Sequence, residues 1–242
     1  MQQIPFQYEL KVDATFDNFI QGQNRLLIEQ LKGIAQGDAE FIYFHGETGT
    51  GKTHLLQALA HLASEPVASA ETISERAEFN VVYIPLEADF LSHQVLADLD
   101  YFDCVCVDNL GAIIRQPNSL EWQQALFNLY NRLKEAGKSL VISAEFPPAS
   151  LTLELADLKS RLSAMLIHAI KPLSDEEKLE FVMSKAHQAG MELNQDAAQY
   201  LISRQQRDLA NLNHLLDKLD RASLQAQRKL TKPFIRKALA KD

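Results

Sequence analysis

The octet GETGTGKT, Gly46 to Thr53, has the residue types needed to hold a chain of phosphates. Glycines let backbone N–H groups curl around phosphate oxygens, and the start of a following helix adds favourable partial charge. Gly46, Thr48, Gly49, Thr50 and Gly51 supply that backbone, Lys52 reaches the terminal phosphates, Thr53 carries a hydroxyl for Mg2+, and His54 adjoins them. The setting matches the chemistry, because the octet lies between an apolar run, FIYFH, and a helix-like stretch, HLLQALAHLA. Further on, CVCVD ends in Asp108, where a strand beside the P-loop strand would offer a carboxylate to the metal. A plain strand-end Asp capping a turn is the other reading. Asn109 comes next. An amide can hydrogen-bond to water but cannot take its proton, so general-base help is missing there and intrinsic hydrolysis is expected to be slow.

Chemistry of this kind needs a sheet to aim it. From about Phe16 to Ile170, the strand candidates FIYFH, VVYIPL, CVCVD and SLVISA alternate with helix-like stretches, which reads as α/β with a parallel sheet covered by helices. THLLQALAHLA has a helical apolar stripe, and EWQQALFNLYNRLKEAG carries Trp122, Leu126, Leu129 and Leu133 at helical spacing before Gly137, so Trp122 reads as core or interface filler. The polar stretch SEPVASAETISERAEFN reads as a surface connection. After IKPL every remaining candidate is a helix. Ser174 to Glu177 has capping-box spacing, Gly190 is a stop, and Thr231 is a cap for the last helix. A tail over 1–15, an α/β domain over 16–171 and a helical domain over 172–242 are therefore expected.

A chain of 242 residues that is 46% hydrophobic can bury a sizeable core. Its apolar runs fall well short of the roughly 20 residues that cross a bilayer, so no membrane span is expected. The start MQQIPFQYELKV lacks a basic segment followed by an apolar one; no secretory signal and a cytoplasmic location are expected. Cys104 and Cys106 share one face of a strand and read as small buried hydrophobes rather than metal or redox groups. A net charge of -8 argues against a whole-molecule grip on nucleic acid. Basic residues from Arg221 to Lys241 read as a solvated helix face, with a partner surface as the alternative.

Over nearly its whole length the chain resembles the DnaA-related AAA+ family of bacterial replication proteins. The resemblance rests on TFDNFIQGQN, GETGTGKTHLLQA, CVCVDNLGAI, LFNLYNRLKEAGKSLVISAEFPPASL, DLKSRL, PLSDEEKL and LDRASLQAQRKLTKPFIRKAL, occurring in family order. The last two point to the Hda branch. The resemblance implies an AAA+ fold with a small all-α lid, binding of ADP or ATP with Mg2+ between the two domains, and residue roles. Phe16, Phe19 and Ile20 would sit near the base. Ser143 and Glu145 match the sensor 1 region, although their chemistry also suits a strand-end turn. Arg161 in DLKSRL matches the arginine finger, and Arg207 in RDLANLNHLL the sensor 2 arginine; taken alone, either would read as a surface ion-pair residue.

The same resemblance implies partners: DnaA itself and the replication sliding clamp, its beta subunit, on DNA. Clamp-binding segments begin with Gln and end in apolar anchors, and QIPFQY offers Gln3, Ile4, Phe6 and Tyr8; a register from Gln7 also fits loosely. On residues alone this is a flexible terminus. Two departures stand out. DnaA continues into a helix-turn-helix domain where this chain stops after FIRKALAKD, so little sequence-specific DNA binding is expected, and DnaA typically carries a second Asp where this chain has Asn109. An activator of hydrolysis on DnaA, preventing over-initiation, fits both departures. A stand-alone ATPase loading a helicase on DNA and a nucleotide-gated adaptor are the rivals. AAA+ surfaces invite self-association, so a homo-oligomer is among the expected states.

Overall fold

The computed structural model describes residues 10–64, 79–204, 209–226 and 232–239. Within them the chain divides into an α/β unit ending at Ile170 and a helical unit beginning at Lys171. The α/β unit is built on five parallel strands: β1 Phe41–His45, β2 Val81–Pro85, β3 Cys104–Asp108, β4 Ser139–Ala144 and β5 Leu166–Ala169. Their order is β2-β3-β4-β1-β5. The first four match the apolar runs of the sequence. β5 was not expected; it is four residues long, lies at a sheet edge and leaves Leu166 and Ile167 exposed, so it lacks the buried run that announces the others.

The order corrects one expectation. β3 does not lie beside the P-loop strand; β4 stands between β1 and β3 and pairs with both. Ser143 of β4, in register with Phe44, is thereby brought alongside Asp108.

Alternation along the strands sorts side chains between two helical layers. Ile42, Phe44, Cys104, Cys106 and Val141 face α1 (Arg25–Ala35) and α2 (Lys52–Ser64), which contribute Leu27, Leu31, Leu55 and Leu59. A single turn, α3 (Gly111–Ile114), follows β3. On the other face Tyr43, Val105, Val107 and Ile142 meet α4 (Ser119–Glu135) and α5 (Ala156–Ser163), whose Trp122, Leu126, Leu129, Leu158 and Leu162 are buried. A sheet covered on both faces explains why its central strands are continuously apolar. Both cysteines are free and buried, and Trp122 is core, as their spacing indicated.

The helical unit contains α6 (Asp175–Gln188), α7 (Gln195–Arg204), α8 (Leu209–Ala226) and α9 (Lys232–Leu239), around Val182, Leu201, Leu212, Leu216 and Ile235. The capping box at α6 is formed. The Glu177 amide donates to Ser174 Oγ at 3.2 Å, and the Ser174 amide to Glu177 Oε2 at 2.7 Å. Gly190, at φ 68°, ends that helix. Thr231 and most of the connection between α2 and β2 lie outside the described residues. No helix among the described residues is long and apolar enough to cross a membrane.

Candidate nucleotide-binding site

The octet connects β1 to the first turn of α2, as its pattern requires. Gly49 and Gly51 adopt φ 80° and 89°, values that glycine reaches without steric cost. Gly51 is also a close approach: a Cβ there would stand 2.7 Å from Cε2 of Phe19. Thr48 is exposed, Gly46 and Gly49 are half-buried and Thr50 is buried. The Gly46 amide donates to the Ala144 carbonyl at 3.3 Å, which fixes the entry to the loop against β4.

The segment ahead of α1 is stapled onto this loop. His54 Nε2 donates to the Thr15 carbonyl at 2.7 Å, and the Phe19 and His54 rings are 5.5 Å apart. Phe16 is buried in the α1–α2 layer with Lys32 over its ring at 5.4 Å, while Ile20 is half-buried. Phe16 thus anchors the segment from the core side, and Phe19 is the ring that lies against the phosphate loop.

Lys52 Nζ donates to the carbonyls of Gly46 at 2.7 Å and Glu47 at 2.8 Å, which folds its ammonium back over the loop. Burial lowers its pKa from the ordinary lysine value, and the charges of Asp108, Glu145 and Glu87 oppose that shift. Glu145 is exposed, one residue past β4.

Asp108 is the centre of the polar network and is only 6% exposed. Its Oδ2 accepts from Thr53 Oγ1 at 2.7 Å and from the Tyr83 hydroxyl at 2.7 Å, and its Oδ1 accepts from Ser143 Oγ. Ser143 Oγ in turn accepts from the Asn109 amide at 2.9 Å. Asn109 has φ 58°, a left-handed conformation that Asn tolerates better than most residues, and its side-chain amide donates to Glu87 Oε1. Ser143 therefore donates to the Asp108 carboxylate as well as lying near the end of its strand.

These residues fit a magnesium nucleotide. Thr53 and Asp108 present two hard oxygens side by side, with Thr53 Oγ1 2.7 Å from Asp108 Oδ2. Mg2+ prefers such a sparse protein share, taking its other ligands from phosphate and water. Tyr83 and Glu87 were missed in the sequence. Tyr83 is a lone hydroxyl in an apolar strand, and its link to Asp108 becomes visible only once β2 is known to pair with β3.

Arg161 lies elsewhere. Its helix, α5, packs on the sheet face opposite α1 and α2. The side chain is exposed, with its guanidinium carbon 5.8 Å from the ring centroid of Tyr130. Lys134 approaches the same ring at 5.8 Å. Among the described residues no carboxylate pairs with Arg161, whereas Arg132 on neighbouring α4 holds Asp100 at 3.1 Å. Arg207, Gln3, Ile4, Phe6 and Tyr8 lie outside the described residues.

Comparison with known proteins agrees with this arrangement. Residues 10–171 match the bacterial DnaA ATPase domain, and residues 175–239 match the Hda lid domain. A protein of Haemophilus influenzae is 38% identical over 241 residues, covering 98% of each chain. Domain III of the replication initiation protein DnaA from Thermotoga maritima superposes with a TM-score of 0.79 at 20% identity, over 97% of this chain and 98% of that one. AMPPCP-bound DnaA from Aquifex aeolicus gives 0.67 at 22% identity, over 87% of this chain and 66% of that one. The RuvB Holliday junction branch migration motor of Thermotoga maritima shares the fold at 0.67 and 14% identity, over 94% and 71%. With both family models matched in sequence order around a P-loop and its paired carboxylate, the chain belongs to the DnaA-related AAA+ family and carries the lid domain of its Hda branch.

Proposed function

We propose that this chain regulates replication initiation by binding an adenine nucleotide with Mg2+ as a structural ligand and lending Arg161 to ATP held by DnaA. The amides of Gly46 to Gly51 and the Lys52 ammonium bind phosphate oxygens, and Thr53 and Asp108 hold the metal side. Mg2+ contributes positive charge that draws phosphate oxygens together. Binding of AMPPCP by the Aquifex DnaA, on a shared fold, supports the nucleotide assignment. ADP and ATP both suit these groups. Asn109 cannot take a proton from water, so the chain's own hydrolysis is slow.

The observation that carries the reading is the state of Arg161: exposed, on the face away from the P-loop helix, and unpaired with any carboxylate among the described residues. A guanidinium so placed is available to a second protein. Docked beside a γ-phosphate, it would offset the charge that develops in phosphoryl transfer, worth about 10³ to 10⁵ in rate when supplied in trans. The product, ADP-bound DnaA, is inactive for initiation. The sliding clamp on DNA brings the chain to its target through Gln3, Ile4, Phe6 and Tyr8.

Hydrolysis of DnaA-bound ATP, measured with clamp loaded on DNA, tests this. The unaltered chain should accelerate it, and Arg161→Ala should not, while still binding nucleotide and clamp. Equal stimulation by both would reject the finger. Stimulation by neither, with association intact, would mark an adaptor. ATP turnover by the chain alone on single-stranded DNA would mark a helicase loader.

A further inference from the structure

β2 is apolar except for one hydroxyl, and that hydroxyl reaches the carboxylate on the metal side of the site. Tyr83 is 6% exposed and packs in the α1–α2 layer with Cys104 and Cys106. A phenylalanine would fill the same space without burying a polar atom, and a buried tyrosine hydroxyl is tolerated when it is paired. Its partner is Asp108 Oδ2, at 2.7 Å, the same oxygen that accepts from Thr53 Oγ1 at 2.7 Å. Ser143 holds the other oxygen.

Of the three donors on Asp108, Thr53 and Tyr83 share Oδ2 and Ser143 holds Oδ1; the two that come from the sheet, on β2 and β4, fix the carboxylate's plane independently of the Thr53 hydroxyl. With that plane fixed, the Thr53 proton has one acceptor to point at, and the hydroxyl's lone pairs are turned away from Asp108. A threonine oxygen must present those lone pairs to coordinate a cation.

We infer that Tyr83 is a positioning residue for Mg2+: by pinning Oδ2 of Asp108 it orients the Thr53 hydroxyl for the metal, without touching metal or nucleotide itself. This rests on the nucleotide reading above. Outer partners that orient a ligand in this way commonly change metal affinity by about 10- to 100-fold when removed.

The test is binding of a fluorescent ADP to the full chain and to Tyr83→Phe, each measured in EDTA and across a Mg2+ titration. Phenylalanine keeps the ring, so packing is preserved. Affinity in EDTA should stay within about twofold, and the Mg2+ concentration giving half of the magnesium-dependent gain should rise about tenfold. An unchanged midpoint would overturn the inference. So would an equal loss of affinity in EDTA and in Mg2+, because a packing defect does not distinguish the two. Absence of binding by the unaltered chain in both conditions would remove the nucleotide reading, and this inference with it.

Discussion

Around Asp108 the fold gathers three hydroxyls, from α2, β2 and β4, and leaves the carboxylate 6% exposed; around Arg161 it supplies a tyrosine ring, a neighbouring lysine and solvent. Both residues belong to the α/β unit. The first charge is fully engaged within its own chain, so its work is to organise a site. The second is exposed and engaged by no carboxylate among the described residues, as the proposed finger role requires. A buried charge with satisfied partners is expensive to disturb, while an exposed one on a helix surface is nearly neutral to stability. The contrast therefore separates structure from function by experiment.

The largest effect should come from Arg161→Ala: stimulated hydrolysis on DnaA falls by about 10³-fold, equivalent to about 4 kcal/mol of transition-state stabilisation. Its urea unfolding midpoint should stay where it was. Asp108→Ala should show the reverse emphasis. Removing the shared acceptor takes one hydrogen bond from each of three hydroxyls, and urea unfolding should report a loss of about 3 kcal/mol together with lost magnesium-dependent nucleotide binding. If Asp108→Ala is as stable as the unaltered chain, the carboxylate is not the organising centre.

Gly51→Ala sharpens the comparison from the loop side. A Cβ at φ 89° is strained, and it must push Phe19 aside from 2.7 Å, so thermal unfolding should show a cost of about 2 kcal/mol along with weakened nucleotide binding. The smallest effect is in the lid. Ser174→Ala removes one half of the α6 capping box and should cost about 1 kcal/mol in denaturant. It touches neither charge, so it shows how far lost stability alone affects stimulation.

The features of the chain that are legible in the sequence are those whose chemistry is local. The octet needs only a strand before it and a helix after it, and Ser174 finds Glu177 three residues on. Asp108 was legible because it ends an apolar run. Strand order was not, since parallel neighbours are joined through long crossovers and apolar content does not say which strand lies beside which. That is why β4 was not foreseen between β1 and β3, and why Tyr83, 25 residues from Asp108, went unnoticed. β5 failed for another reason: an edge strand with both faces exposed carries no hydrophobic period to read. Phe16, Phe19 and Ile20 shared one expected role, yet only burial distinguishes the core anchor from the ring on the loop.

The amide of Asn109 donates to Glu87, and its backbone sits at φ 58°. Aspartate tolerates that conformation about as well, so geometry alone would let an acid stand at position 109. Charge would not: the new carboxylate would face Glu87 in place of a hydrogen-bond donor, with Asp108 adjacent, and like charges at that range resist joint ionisation. A carboxylate at position 109 is therefore better accommodated when Glu87 is exchanged for a neutral residue as well.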